Sequence, residues 1–80
     1  MSIRWIRNLL IEGVPSSVEV FLGQHTIADK CYVRYDGGDE IWFSPCSEER
    51  EKVLEQGKSI LQKRLSNQKI TSLDGQSFKW

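Results

Sequence analysis

Apolar and polar positions alternate with period two in three places along the chain. Val18, Val20 and Leu22 alternate with Glu19 and Phe21, which reads as a strand. A second strand is expected over about residues 27–35, best defined at Cys31-Tyr32-Val33-Arg34-Tyr35. The third is Glu40-Ile41-Trp42-Phe43-Ser44, ended by Pro45, which cannot donate to a ladder. Gly23-Gln24-His25 separates the first two, and Asp36-Gly37-Gly38-Asp39 is the strongest turn signal in the chain. Turns this short make the three strands antiparallel.

From Ser47 the period changes. Val53/Leu54, Gly57, Ile60/Leu61 and Arg64/Leu65 recur at three-to-four spacing, predicting one long helix over residues 47–65. Ser47 is its expected N-cap, and Glu48, Glu49 and Glu51 place negative charge in the first turn. Gly57 falls inside the apolar stripe, where it costs about 1 kcal/mol relative to alanine. Close approach to the sheet is the physical reason to expect it there. Ile3, Ile6 and Leu10 fit a short N-terminal helix capped by Ser2, although Ile3, Trp5 and Ile6 also suit a strand. Gly13-Val14-Pro15-Ser16-Ser17 is expected to break that segment. At the other end, residues 69–73 and 76–80 flank Asp74-Gly75 as a hairpin.

These elements predict a single α+β domain over residues 1–80. An antiparallel three- to five-stranded β-meander packs against one long helix, with a short N-terminal helix or strand and a C-terminal hairpin. The helix covers one face through Leu54, Leu61 and Leu65, against Val18, Val20, Leu22, Cys31, Val33, Ile41 and Phe43.

Helix, three antiparallel strands, helix over residues 3–66 is similar in order to the double-stranded-RNA-binding domain. Gly23-Gln24-His25 stands where that family carries a loop ending in His. The family opens its last helix with lysines that hold phosphates. This chain has Ser47-Glu48-Glu49-Arg50-Glu51 there, of opposite charge. The resemblance is therefore one of topology, which does not by itself carry function.

Strand alternation turns Phe21, Tyr32 and Trp42 away from the helix, with Arg34 among them. Such a face suits docking of another protein, since Trp, Tyr and Arg dominate binding hot spots. It also suits base stacking. Alternatively Trp5, Leu9 or the terminal hairpin covers it as a second small core.

With 80 residues the core is thin. Net charge is zero, which removes the usual electrostatic drive toward nucleic acid. The charge is segregated: residues 36–51 carry Arg50 against Asp36, Asp39, Glu40, Glu48, Glu49 and Glu51. Residues 52–80 carry six basic groups against Glu55 and Asp74. Two cysteines and one histidine are too few for a disulfide scaffold or a four-ligand zinc site, so no metal or other cofactor is expected. His25, expected on a surface turn, has no evident base or orienting group for nucleophilic chemistry. The acidic turn is too short for a calcium loop, and no carboxylate pair is set up for acid–base work. The longest apolar run, Leu9 to Ile11, falls far short of the ~20 residues needed to span a bilayer. The absence of a secretory leader favours reduced cysteines and a cytoplasmic setting.

The expected function is accordingly non-enzymatic. A small protein-binding module fits best: an accessory subunit, adaptor or inhibitor of the kind phages and mobile elements encode. Its contact residues would be Phe21, Tyr32, Arg34 and Trp42, flanked by Asp36, Asp39 and Glu40. The alternative is binding of RNA or single-stranded nucleic acid on the aromatic face, helped by Lys58, Lys63, Arg64 and Lys69. The short last strand over residues 76–80 leaves an edge through which a homodimer could form.

Overall fold

Two strands of nine residues dominate the chain: β1 (Ile3–Ile11) and β2 (Val14–Leu22), joined by the two-residue turn Glu12-Gly13. The computed structural model describes residues 3–23 and 31–80, so Gln24 and His25 of the expected Gly23-Gln24-His25 turn and the start of the second strand lie outside the described residues. β3 (Tyr32–Tyr35), β4 (Ile41–Trp42), α1 (Arg50–Arg64) and β5 (Ile70–Thr71) follow. All neighbouring strands are antiparallel, and they form one five-stranded sheet in the order β4-β3-β2-β1-β5. No helix among the described residues is long and apolar enough to cross a membrane.

The N-terminal segment resolves as a strand, because its register with β2 buries Trp5, Leu9 and Ile11 on one face. A helix there would have turned Ile11 away from Trp5 and Leu9. The first element is therefore not the helix of the double-stranded-RNA-binding order, and the likeness ends there. Gly13 and Pro15 do not break the segment; they sit inside a hairpin. Glu12 and Gly13 both take positive φ (52° and 78°), as the tight turns that match strand twist require. Pro15 pairs with Leu10, where β2 has no β3 neighbour; β3 reaches β2 only at residues 18–21. The missing N–H therefore costs no ladder bond.

The helix is shorter than expected, 15 residues, and its N-cap is Glu49 rather than Ser47. Ser47 still acts locally, its Oγ accepting the Glu49 N–H at 3.1 Å. Gln56 ties the preceding loop to α1: its Nε2 donates to the Ser44 carbonyl and its Oε1 accepts the Cys46 N–H. Val53, Gly57, Leu61 and Leu65, four residues apart, form the buried stripe. Leu54 is only half-buried. Gly57 is placed against the sheet, where a Cβ would come within 2.6 Å of Val20 Cγ1 and 3.3 Å of Val33 Cγ1.

The core beneath α1 holds Val18, Val20, Leu22, Cys31 and Val33, with Ile41 and Phe43 partly buried against it. Trp5, Leu9 and Ile11 from β1 complete it. The third expected strand contracts to Ile41–Trp42, although the Phe43 N–H still donates to the Cys31 carbonyl. Past β5 the chain turns at Asp74-Gly75 and makes one isolated bridge, Thr71 to Ser77. Phe78 and Trp80 then pack edge to face, and Trp80 stacks on Trp5 at 6.5 Å.

Candidate functional site

The side of the sheet opposite α1 is built by register. Arg4 pairs with Phe21, Phe21 with Tyr32, and Tyr32 with Trp42, so four strands place these side chains in one row. A parallel row runs Ile6, Glu19, Arg34. Neither Trp5, Leu9 nor the C-terminal segment covers this face: Trp5 and Leu9 point into the core, and Trp80 joins Trp5 there.

The rings pack against one another. Phe21 and Tyr32 stack at 5.0 Å with planes 18° apart, and Trp42 meets Tyr32 edge-on at 5.2 Å. The Arg4 guanidinium lies 5.4 Å from the Phe21 centroid, and that of Arg34 lies 5.8 Å from Tyr32. Phe21 and Tyr32 are therefore half-buried, their faces already occupied. Trp42 stays 57% exposed and Ile6 46%, and they are the large apolar groups this face offers to solvent.

Glu19 is the hub of the second row. It is only 5% exposed, a burial that a carboxylate tolerates when its oxygens are hydrogen-bonded and paired. Arg4 Nε reaches Oε2 at 2.7 Å, Arg34 donates to Oε1 through Nε and Nη2, and the Tyr32 hydroxyl lies 3.4 Å from Oε2. Hydrogen bonding to Glu19, then its charge, pushes the Arg34 pKa further up, so Arg34 is a fixed cation. Arg34 Nη1 also lies 3.5 Å from Glu40. The two guanidiniums around Glu19, those of Arg4 and Arg34, thus face two carboxylates.

Beside the row lies the β3–β4 turn. Asp36 and Gly37 both take positive φ (56° and 66°), and the Gly38 N–H closes the turn on the Tyr35 carbonyl at 3.0 Å. The Ser16 hydroxyl donates to Asp36 Oδ1, fixing that carboxylate. Asp36 and Asp39, with Tyr35, Gly38 and Ile41, line a depression of about 320 Å³. No group of three or more His, Cys, Asp and Glu that could hold a metal ion occurs among the described residues.

No family model, curated protein or solved structure matches this chain.

The basic residues of the nucleic-acid alternative are not brought to this face. Lys58, Lys63 and Arg64 belong to α1, which packs on the opposite side, and Lys69 lies between α1 and β5. Lys58 is spent locally, its Nζ 5.0 Å from the Trp5 ring and 3.6 Å from Glu55. The two cysteines stand apart in environment, Cys31 buried and Cys46 exposed, and they are not joined to each other. Burial pushes the Cys31 thiol pKa up, against smaller opposing effects of the Gly23 backbone and Arg50. Such a thiol resists ionisation, the reverse of what an activated nucleophile needs.

Sequence reasoning missed Arg4, Ile6 and Glu19 on this face. The signal was present: once residues 3–11 are read as a strand, alternation puts Arg4 and Ile6 opposite Trp5 and Leu9.

Proposed function

We propose that this chain is a small protein-binding module that docks its partner on the open face of the sheet. Trp42 is the anchor, Ile6 and the Phe21/Tyr32 edges the apolar floor, and Asp36, Asp39 and Glu40 the acidic rim. The observation that carries this reading is the ring geometry. Phe21 and Tyr32 stand face to face and are sealed by Arg4 and Arg34, so they cannot receive stacked bases, whereas Trp42 projects. An exposed Trp ringed by polar groups is the pattern of an interface hot spot. The cations of the face are offset by Glu19 and Glu40, and the adjoining carboxylates repel phosphate. The expected partner therefore offers an apolar pocket bordered by Lys or Arg. As an accessory subunit, adaptor or inhibitor, the chain acts by occupying a surface rather than by chemistry.

The test is affinity capture from native lysate, with and without nuclease, using the wild type and Trp42→Ala. A protein is expected to be retained after nuclease treatment and lost with Trp42→Ala. Once that partner is purified, the substitution should weaken binding at least ~30-fold. Trp42 is exposed, so the thermal midpoint should barely move. Retention that disappears with nuclease, or that Trp42→Ala leaves unchanged, overturns the reading.

A further inference from the structure

The outer edge of β1 is open along most of its length. β5 pairs only with Leu10 and Ile11, leaving residues 3–9 with no strand beside them among the described residues. The direction of the backbone groups follows from three observations. Ile11 and Val14 close the two-residue hairpin. Leu10 pairs outward with Thr71, and the Glu12 N–H donates outward to Lys69 O at 2.8 Å. Alternation then turns the N–H and C=O of Arg4, Ile6 and Asn8 to the open side. The Ile6 carbonyl is taken by Arg7 Nη1 at 2.8 Å.

The geometry points to a second copy of this chain as the occupant, added antiparallel along β1 with the two-fold axis at Ile6. The free edge, residues 3–9, is centred on Ile6, so this register pairs its full length and stops where β5 begins. It sets Arg4 opposite the second copy's Asn8, Arg7 opposite its Trp5, and Ile6 opposite Ile6. No like charges come directly opposite, which antiparallel pairs disfavour. Moving the axis to Arg7 would set Arg7 against Arg7, and moving it to Trp5 would set Asn8 against a position outside β1. Arg4 arrives already paired to Glu19. Arg7, released from the Ile6 carbonyl by the second copy's N–H, meets an indole of the kind it already lies over, 5.0 Å from its own Trp5. The apolar Ile6 side chains, each 46% exposed, bury against each other. The two open faces become one continuous surface with an aromatic row at either end. This dimer uses β1, not the edge over residues 76–80 that the sequence offered.

The experiment is sedimentation equilibrium over a concentration series. The wild type should approach twice 9.3 kDa. Ile6→Pro removes only an outward N–H and should sediment as a monomer with an unchanged circular dichroism spectrum. Ile6→Lys sets two ammonium groups opposite each other and should raise the dissociation constant at least ~10-fold, while mixing it with Ile6→Glu should restore association. Trp42→Ala should leave the dimer intact, which separates this inference from the docking reading. A wild type that stays monomeric at its highest soluble concentration overturns the proposal. A dimer that survives both Ile6→Pro and Ile6→Lys does so too.

Discussion

Gly57 is a helix-interior glycine that the helix alone would reject, since alanine there is worth about 1 kcal/mol of propensity. The sheet decides otherwise. A Cβ would lie 2.6 and 3.1 Å from the two Val20 methyls, and both belong to a stiff, fully buried side chain. Overpacking wins over propensity, so Gly57→Ala should destabilise the fold by about 1–3 kcal/mol. Chemical denaturation checks this, and a gain in stability would mean that α1 slides along the sheet at little cost. The glycine was legible in the sequence because an apolar stripe every four residues left it on the packed side. Glu19 was not. A Glu between two valines reads as a solvent-facing strand position. Its burial depends on Arg4 arriving from a strand that local pattern did not require.

At the scale of elements, the β1–β2 hairpin holds the fold's longest pairing and was its least readable part. Gly13 and Pro15 are both breakers by local rule, yet each sits where the rule does not apply: Gly13 in a turn that requires positive φ, Pro15 where no β3 residue seeks its N–H. Gly13→Ala should cost about 1–2 kcal/mol, because a Cβ strains the left-handed conformation even though no atom lies within 4 Å of it. The loss should appear as a lowered denaturation midpoint with an unchanged slope. A neutral result would show that the turn relaxes to another type. The later elements were easier to read. Alternation at Val18/Val20/Leu22 and the Asp-Gly-Gly-Asp turn each involve neighbours close in sequence. The expected helix start at Ser47 missed because Glu49, two residues on, is still extended (ψ 122°) and the helical geometry begins at Arg50.

Across the whole molecule, the sheet is a partition. One face is committed to α1 and to the Trp5/Trp80 pair, and the basic residues of α1 lie on that side. The other face carries a projecting Trp42 and internally neutralised guanidiniums, with Glu40 beside Arg34; Asp36 and Asp39 stand at the sheet's end, in the depression that Tyr35 and Ile41 line. The acidic turn thus borders the open face while Lys58, Lys63 and Arg64 belong to α1 behind it, and two modes of binding can be told apart by sign. Asp36→Asn/Asp39→Asn removes two negative charges from the rim. Asn tolerates the positive φ at residue 36 and keeps an oxygen for the Ser16 hydroxyl, so the turn should persist. A partner with a basic border should bind the double variant several-fold more weakly, chiefly through slower association, and the wild type's salt dependence should flatten. A phosphate backbone on the same face would respond the other way, binding the variant more tightly because two repelling charges are gone. Association rates for the purified partner, and titration with a fluorescent oligonucleotide, each in low and high salt, give the two signs directly. Faster or unchanged association with the protein partner would remove the acidic rim from the interface and leave Trp42 and the apolar floor to carry it.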